Sequence, residues 1–98
     1  MPGPDLDEKI ETYYVRVRGV VQGVGFRHYT VRRAHELGVR GWVANLDDGS
    51  VEVMVQGAAN QVDRMLEWLR HGPPHARVTD FFSEERFLDK RFERFEQH

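Results

Sequence analysis

The stretch GVVQGVGFR, residues 19 to 27, sets glycines at 19, 23 and 25 ahead of Arg27. Each residue type has a use if the target is a small anion. Glycine opens backbone conformations closed to other residues, and successive N–H groups in such a loop can turn inward as an anion-binding nest. A helix beginning at the end of the loop adds unpaired N–H groups and the positive end of its dipole. Arg27 in the first turn supplies a planar fork matched to two phosphate oxygens. Together these would cradle a small dianion. No Gly-Lys-Ser/Thr follows, so the loop is not a nucleoside-triphosphate loop. Taken alone, the same residues also fit an ordinary strand-to-helix turn followed by a surface arginine.

Other chemistry-bearing residues are better explained without a site. There is no cysteine, which excludes disulfides, thiolate metal sites and a cysteine nucleophile. His71 and His75 have i,i+4 spacing, but Gly72, Pro73 and Pro74 lie between them, so no helix presents both to a metal. Asp47 and Asp48 read as turn residues, Trp42 and Trp68 as core or half-buried packing residues. His28 adjoins Arg27 and reads as a solvent-facing helix residue or a rim residue of the cradle. No metal and no cofactor is expected.

The elements that must position Arg27 follow from periodicity. In YYVRVRGVV, Tyr13, Val15 and Val17 point one way and Tyr14, Arg16 and Arg18 the other, the pattern of a half-buried strand. After the glycine loop the period changes. Phe26, Thr30, Ala34 and Leu37 form one helical stripe, and Gly38 stands where a left-handed residue would close it. VRGWVAN and SVEVMVQG read as two further strands, with Val51, Val53 and Val55 facing inward and Glu52, Met54 and Gln56 outward. Asp48-Gly49 between them is a tight-hairpin signal. Val62, Met65, Leu66 and Leu69 mark a second helix, with Asn60 as expected N-cap and GPP as its stop. ARVTDFFSEERF reads as a fourth strand, and FERFEQH either adds a short fifth strand or packs Phe92 and Phe95 against the core.

The order is β-α-β-β-α-β. A right-handed crossover makes strands one and two parallel, and the hairpin makes strand three antiparallel to both. The expected fold is α+β: a ferredoxin-like split βαβ sandwich, an antiparallel sheet with two helices on one face. The loop after strand one and the end of strand two then emerge at the same sheet edge. Arg27 and Asn45 become neighbours despite their separation in sequence.

The chain has 98 residues, 40% hydrophobic and 31% charged, enough for one compact domain. The polar, acidic N-terminus with two prolines is read as a disordered leader over 1–10, ahead of a single domain over 11–98. No apolar run approaches a membrane span, and a net charge of -2 gives no reason to expect nucleic acid. A cytoplasmic monomer is expected.

GVVQGVGFRHYT followed by LGVRGWVANLDDGSVEVMVQG resembles the two signature blocks of the acylphosphatase family, and LRHGPPHARV after the second helix is similar to it as well. The similarity covers roughly residues 13 to 82, with a looser echo at FERFE. It implies a ferredoxin-like fold and metal-free hydrolysis of small acyl phosphates to carboxylate and inorganic phosphate. It also implies that Arg27 binds phosphate and Asn45 positions the attacking water. The N–H groups of Gln22, Gly23, Val24, Gly25 and Phe26 would complete the phosphate site. The sequence departs from the family in its acidic leader, in Leu46 directly after the asparagine, and in Gln97 where the last strand usually carries an aliphatic residue. Thr30, on the inner face of helix one, is expected either to hydrogen-bond Asn45 or to sit as a plain core residue.

The chemistry agrees with so sparse a set of groups. A carboxylate leaves without being protonated, its acid having a pKa of about 4 to 5. A loose, metaphosphate-like transition state asks little of a base. Holding the phosphoryl group, neutralising its oxygens and aiming one water are what remain. The rival is a non-catalytic anion- or RNA-binding module of the same fold. Arg16, Arg18, Arg27, Arg32, Arg33 and Arg40 make the first half basic, but the third strand has none of the stacking aromatics an RNA-recognition motif needs.

Overall fold

The computed structural model describes residues 9–98. Seven elements follow one another: β1 (Ile10–Val20), α1 (Phe26–Leu37), β2 (Arg40–Asn45), β3 (Val51–Ala58), α2 (Ala59–His71), β4 (Arg77–Glu85) and β5 (Phe95–Gln97). The sheet order is β4-β1-β3-β2-β5. β1 pairs antiparallel with β3 and β4, and β2 antiparallel with β3. The expected split βαβ arrangement is therefore present, with β1 and β2 parallel across the central β3. The expected leader falls mostly outside the described residues. Its last residue, Ile10, belongs to β1, where it pairs with Ala58.

The alternation in the valines builds the core. Val15, Val17, Val51, Val53 and Val55 are fully buried beneath Phe26, Ala34, Val62, Met65 and Leu69 of the helices. Burying each such side chain contributes roughly 1.5–3 kcal/mol before entropic costs. Helix α1 ends as expected. Gly38 takes the left-handed conformation, and its N–H donates to the Ala34 carbonyl. In the hairpin, the Ser50 N–H and hydroxyl both donate to the Asp48 carboxylate and hold it below the usual aspartate pKa. Turn chemistry accounts for that acidic residue.

Three expectations are corrected. Helix α2 starts at Ala59 with Ala58 as N-cap, so Asn60 lies inside the first turn. Alanine has no side-chain acceptor. Instead Gln61 reaches back, its Oε1 accepting from the Ala58 N–H at 3.2 Å, which is half of a capping box. Met54 and Gln56 alternate away from the helices but are buried. Gln56 is covered by the segment returning from β4: its Nε2 donates to Thr12 Oγ1 and to the Lys90 carbonyl, and its Oε1 accepts from the Phe92 N–H. Finally, the sheet is mixed. β5 is an ordered strand and runs parallel to β2, pairing Gly41 with Phe95 and Val43 with Gln97. Phe95 is buried against the core and Phe92 half-buried, so the tail both adds a strand and packs.

Gly41 leaves the least room for a side chain among the described glycines. Its φ is +139°, and a methyl group there would overlap the Met54 carbonyl oxygen of the neighbouring strand. Its N–H also donates to the Arg94 carbonyl at 3.0 Å, at the entry to β5. Gly41→Ala is therefore expected to destabilise the protein by about 3 kcal/mol, the cost of a strained backbone plus a steric shift. Urea titration checks this, and an unchanged midpoint would contradict it.

Candidate active site

The site is built at the end of β1, where the chain must turn into α1 without blocking the helix N-terminus. Gly23 and Gly25 have φ of 76° and 77°, and Gly25 is the N-cap residue, with no side chain to compete for the first N–H groups. Phe26 then drops into the core, 1% exposed, with its ring 6.2 Å from that of Trp68. Anchoring Phe26 places the next residue, Arg27, at the open end of the helix, where it is half-buried.

A cleft of about 140 Å³ opens there, lined by Val21, Gly23, Gly25, Phe26, Arg27, His28, Asn45 and Gln97. Arg27 and Asn45 thus meet as the topology predicts. Asn45, the last residue of β2, is exposed at the edge of the cleft, and Val21 is buried at its floor. The Arg27 guanidinium donates from Nη1 to the His98 main-chain oxygen at 2.8 Å. Among the described residues the other N–H groups of the fork have no hydrogen-bond partner.

Not every residue assigned to the site from sequence lies at it in the same way. Gly23, Gly25 and Phe26 line the cleft, while Val24 packs against the core. Gln22 acts through its side chain: its Nε2 donates to the Leu46 and Ser50 carbonyls, both at 2.8 Å. That amide ties the glycine loop to the β2–β3 turn beside Asn45. Thr30 is fully buried, and its hydroxyl donates to the Phe26 carbonyl at 2.7 Å, one helical turn back. Of the two readings of Thr30, the buried core position is the one seen, with this local bond, which buried helical threonines make readily, and no bond to Asn45 among the described residues.

Gln97 and His98 were missed from sequence as site residues. The only signal was Gln97 itself, a polar side chain in a strand otherwise anchored by Phe95. His28 is exposed and lines the cleft, with its ring edge-on to Tyr29. A larger groove of about 430 Å³ lies at the opposite end of the sheet, among Ile10, Arg40, Gln56 and Arg91, away from Arg27 and Asn45. Among the described residues no group of three His, Asp or Glu side chains is arranged to hold a metal ion. No described helix is long and apolar enough to cross a membrane.

The fold and cleft define a ferredoxin-like α+β protein with a small glycine-lined cleft at the C-terminal ends of β1 and β2. The acylphosphatase family model matches residues 13–97, and the chain belongs to the acylphosphatase family. It is 78% identical over 95 residues to an acylphosphatase of Paraburkholderia xenovorans, covering 97% of this chain and 98% of that one. It is 76% identical along the full length of both chains to an acylphosphatase of Burkholderia mallei. Among solved structures it is similar to an acylphosphatase from Coxiella burnetii, with a TM-score of 0.88 and 34% identity over 94% of this chain and 98% of that one. The activity is that of the family: hydrolysis of an acyl phosphate to a carboxylate and inorganic phosphate.

Proposed function

We propose that the cleft performs this hydrolysis without a metal, by in-line attack of one water on phosphorus. Arg27 and the loop N–H groups between Gln22 and Phe26 grip the phosphoryl oxygens, and Asn45 orients the water opposite the departing carboxylate. The phosphorus–oxygen bond to the acyl group breaks as the water oxygen bonds to phosphorus. The electron pair leaves with the carboxylate, and the water protons end on phosphate and solvent. The observation that carries this reading is the convergence of Arg27, Asn45, Gly23 and Gly25 on one small cleft at a helix N-terminus. A charged fork, a positive dipole end and a neutral amide are the groups a loose phosphoryl transition state uses.

The leaving group needs no electrophilic assistance, which is why a metal is not part of the proposal. Hydrolysis of benzoyl phosphate by purified protein is expected to persist after exhaustive chelation and to be unchanged by added magnesium. Activity lost on chelation and restored by magnesium or zinc would overturn the metal-free mechanism. The proposal also takes the enzyme to be a cytoplasmic monomer.

A further inference from the structure

We infer that Trp42 is a positioning residue for Arg27, acting through the ring of His98. The inference rests on Arg27 being the phosphate clamp. An arginine side chain has many rotamers, and a clamp works best when its fork is already aimed before the ligand arrives. Among the described residues no Asp or Glu side chain pairs with the Arg27 guanidinium. Its partner is the main-chain oxygen of His98 at 2.8 Å. The aim of the fork therefore depends on how firmly His98 is held.

Two contacts hold that residue. Its N–H donates to the Val43 carbonyl at 2.8 Å, which continues the parallel pairing of β5 with β2 by one step. Its imidazole lies flat on the indole of Trp42, with centroids 5.4 Å apart and planes 10° from parallel. The remaining side-chain contact, to Glu96 at 3.7 Å between groups about half exposed, is long and solvent-screened. β5 has only three residues, so a single hydrogen bond past its end would fray easily. The stack supplies the missing restraint.

Trp42 suits the task. It is half-buried and registered opposite the buried Met54 of β3, so its own position is fixed. It is not among the residues of the core cluster or those packed against it, so its removal leaves the core between sheet and helices intact. The contacts run in series from Trp42 to His98 to Arg27.

A double-mutant cycle tests this. Trp42→Ala is expected to lower kcat/KM for benzoyl phosphate about tenfold and to weaken inorganic phosphate about fivefold, the scale of a misaimed but intact group. His98→Ala, which keeps the main-chain oxygen, should do the same. Trp42→Phe and His98→Phe, which preserve a flat ring pair, should stay within about twofold of the parent. In an Arg27→Ala background, Trp42→Ala should change the residual activity by less than about twofold, because the group it positions is gone. An equal loss in both backgrounds would mark Trp42 as merely structural and overturn the inference. So would parent-like phosphate affinity in Trp42→Ala. Arg27→Ala measured alone separates the premise: if it keeps activity, the clamp assignment fails rather than the stack. Circular dichroism at the assay temperature confirms that each variant is folded.

Discussion

Arg27→Ala is expected to lower kcat/KM by roughly 10³-fold or more, the range seen when an arginine is withdrawn from a phosphoryl-transfer site. The size follows from what the side chain does in both states. In its proposed role it neutralises part of the bound dianion, which affects affinity. In the loose transition state charge spreads over the equatorial oxygens, and a fork already in place needs no reorganisation to meet it. Both kcat and KM should therefore deteriorate. Inorganic phosphate should inhibit the parent competitively. Binding only the folded protein, it should also raise the melting temperature, by an amount equivalent to about 2.7 kcal/mol at a hundredfold excess over Kd. In Arg27→Ala that stabilisation should largely vanish. Arg27→Lys should recover little, since an ammonium keeps the charge but loses the two-pronged geometry and the hold on the His98 oxygen. Phosphate protecting Arg27→Ala as well as the parent would place the clamp elsewhere.

Why this site could be read from sequence, and where reading stopped, has a physical basis. The alternation of Val51, Val53 and Val55 and the stripe of Phe26, Thr30 and Ala34 are long enough to distinguish strand from helix. The handedness of the first crossover then brings Arg27 and Asn45 to one edge with no further information. What stayed hidden depends on contacts between distant segments. β5 is three residues long, too short for any period, and its parallel pairing with β2 is set by where the chain crosses after β4. Gln56 looks solvent-facing by alternation, and only the crossing of residues 90 to 92 buries it. Gln22 belongs to the loop in sequence, yet its amide serves the turn between β2 and β3. Thr30 read either as a partner of Asn45 or as a plain core residue, and its hydroxyl is taken up by the carbonyl four residues back. The N-terminus of α2 misled because a side chain three residues downstream took over from a conventional cap.

Asn45→Ala should separate turnover from binding, which Arg27→Ala cannot do. The amide can donate to one partner and accept from another at once, so it can fix both the position and the lone-pair direction of a water. It carries no charge and adds little to holding a dianion. Its place at the last position of β2 keeps its backbone in the sheet, paired with Val51, while the side chain stands at the edge of the cleft. The Gln22 amide, bonded to the adjoining Leu46 carbonyl, keeps that edge in register with the glycine loop. Removing the Asn45 amide leaves the loop, Arg27 and the helix N-terminus in place. The expected result is a kcat lower by on the order of 10²- to 10³-fold, the cost of losing one preorganised polar group. KM should change little, and phosphate affinity should stay within a few-fold of the parent. Asn45→Asp is the sharper test. It preserves shape, removes the donor and brings a negative charge toward a dianion, so it should be at least as damaging to kcat and should weaken phosphate as well. The exposed location of Asn45 means that neither variant loses core packing, and melting temperatures without ligand should stay near the parent's. Near-parent kcat in Asn45→Ala, or a defect confined to phosphate affinity, would falsify the water-orienting role and leave the attack to be directed by the loop and Arg27 alone.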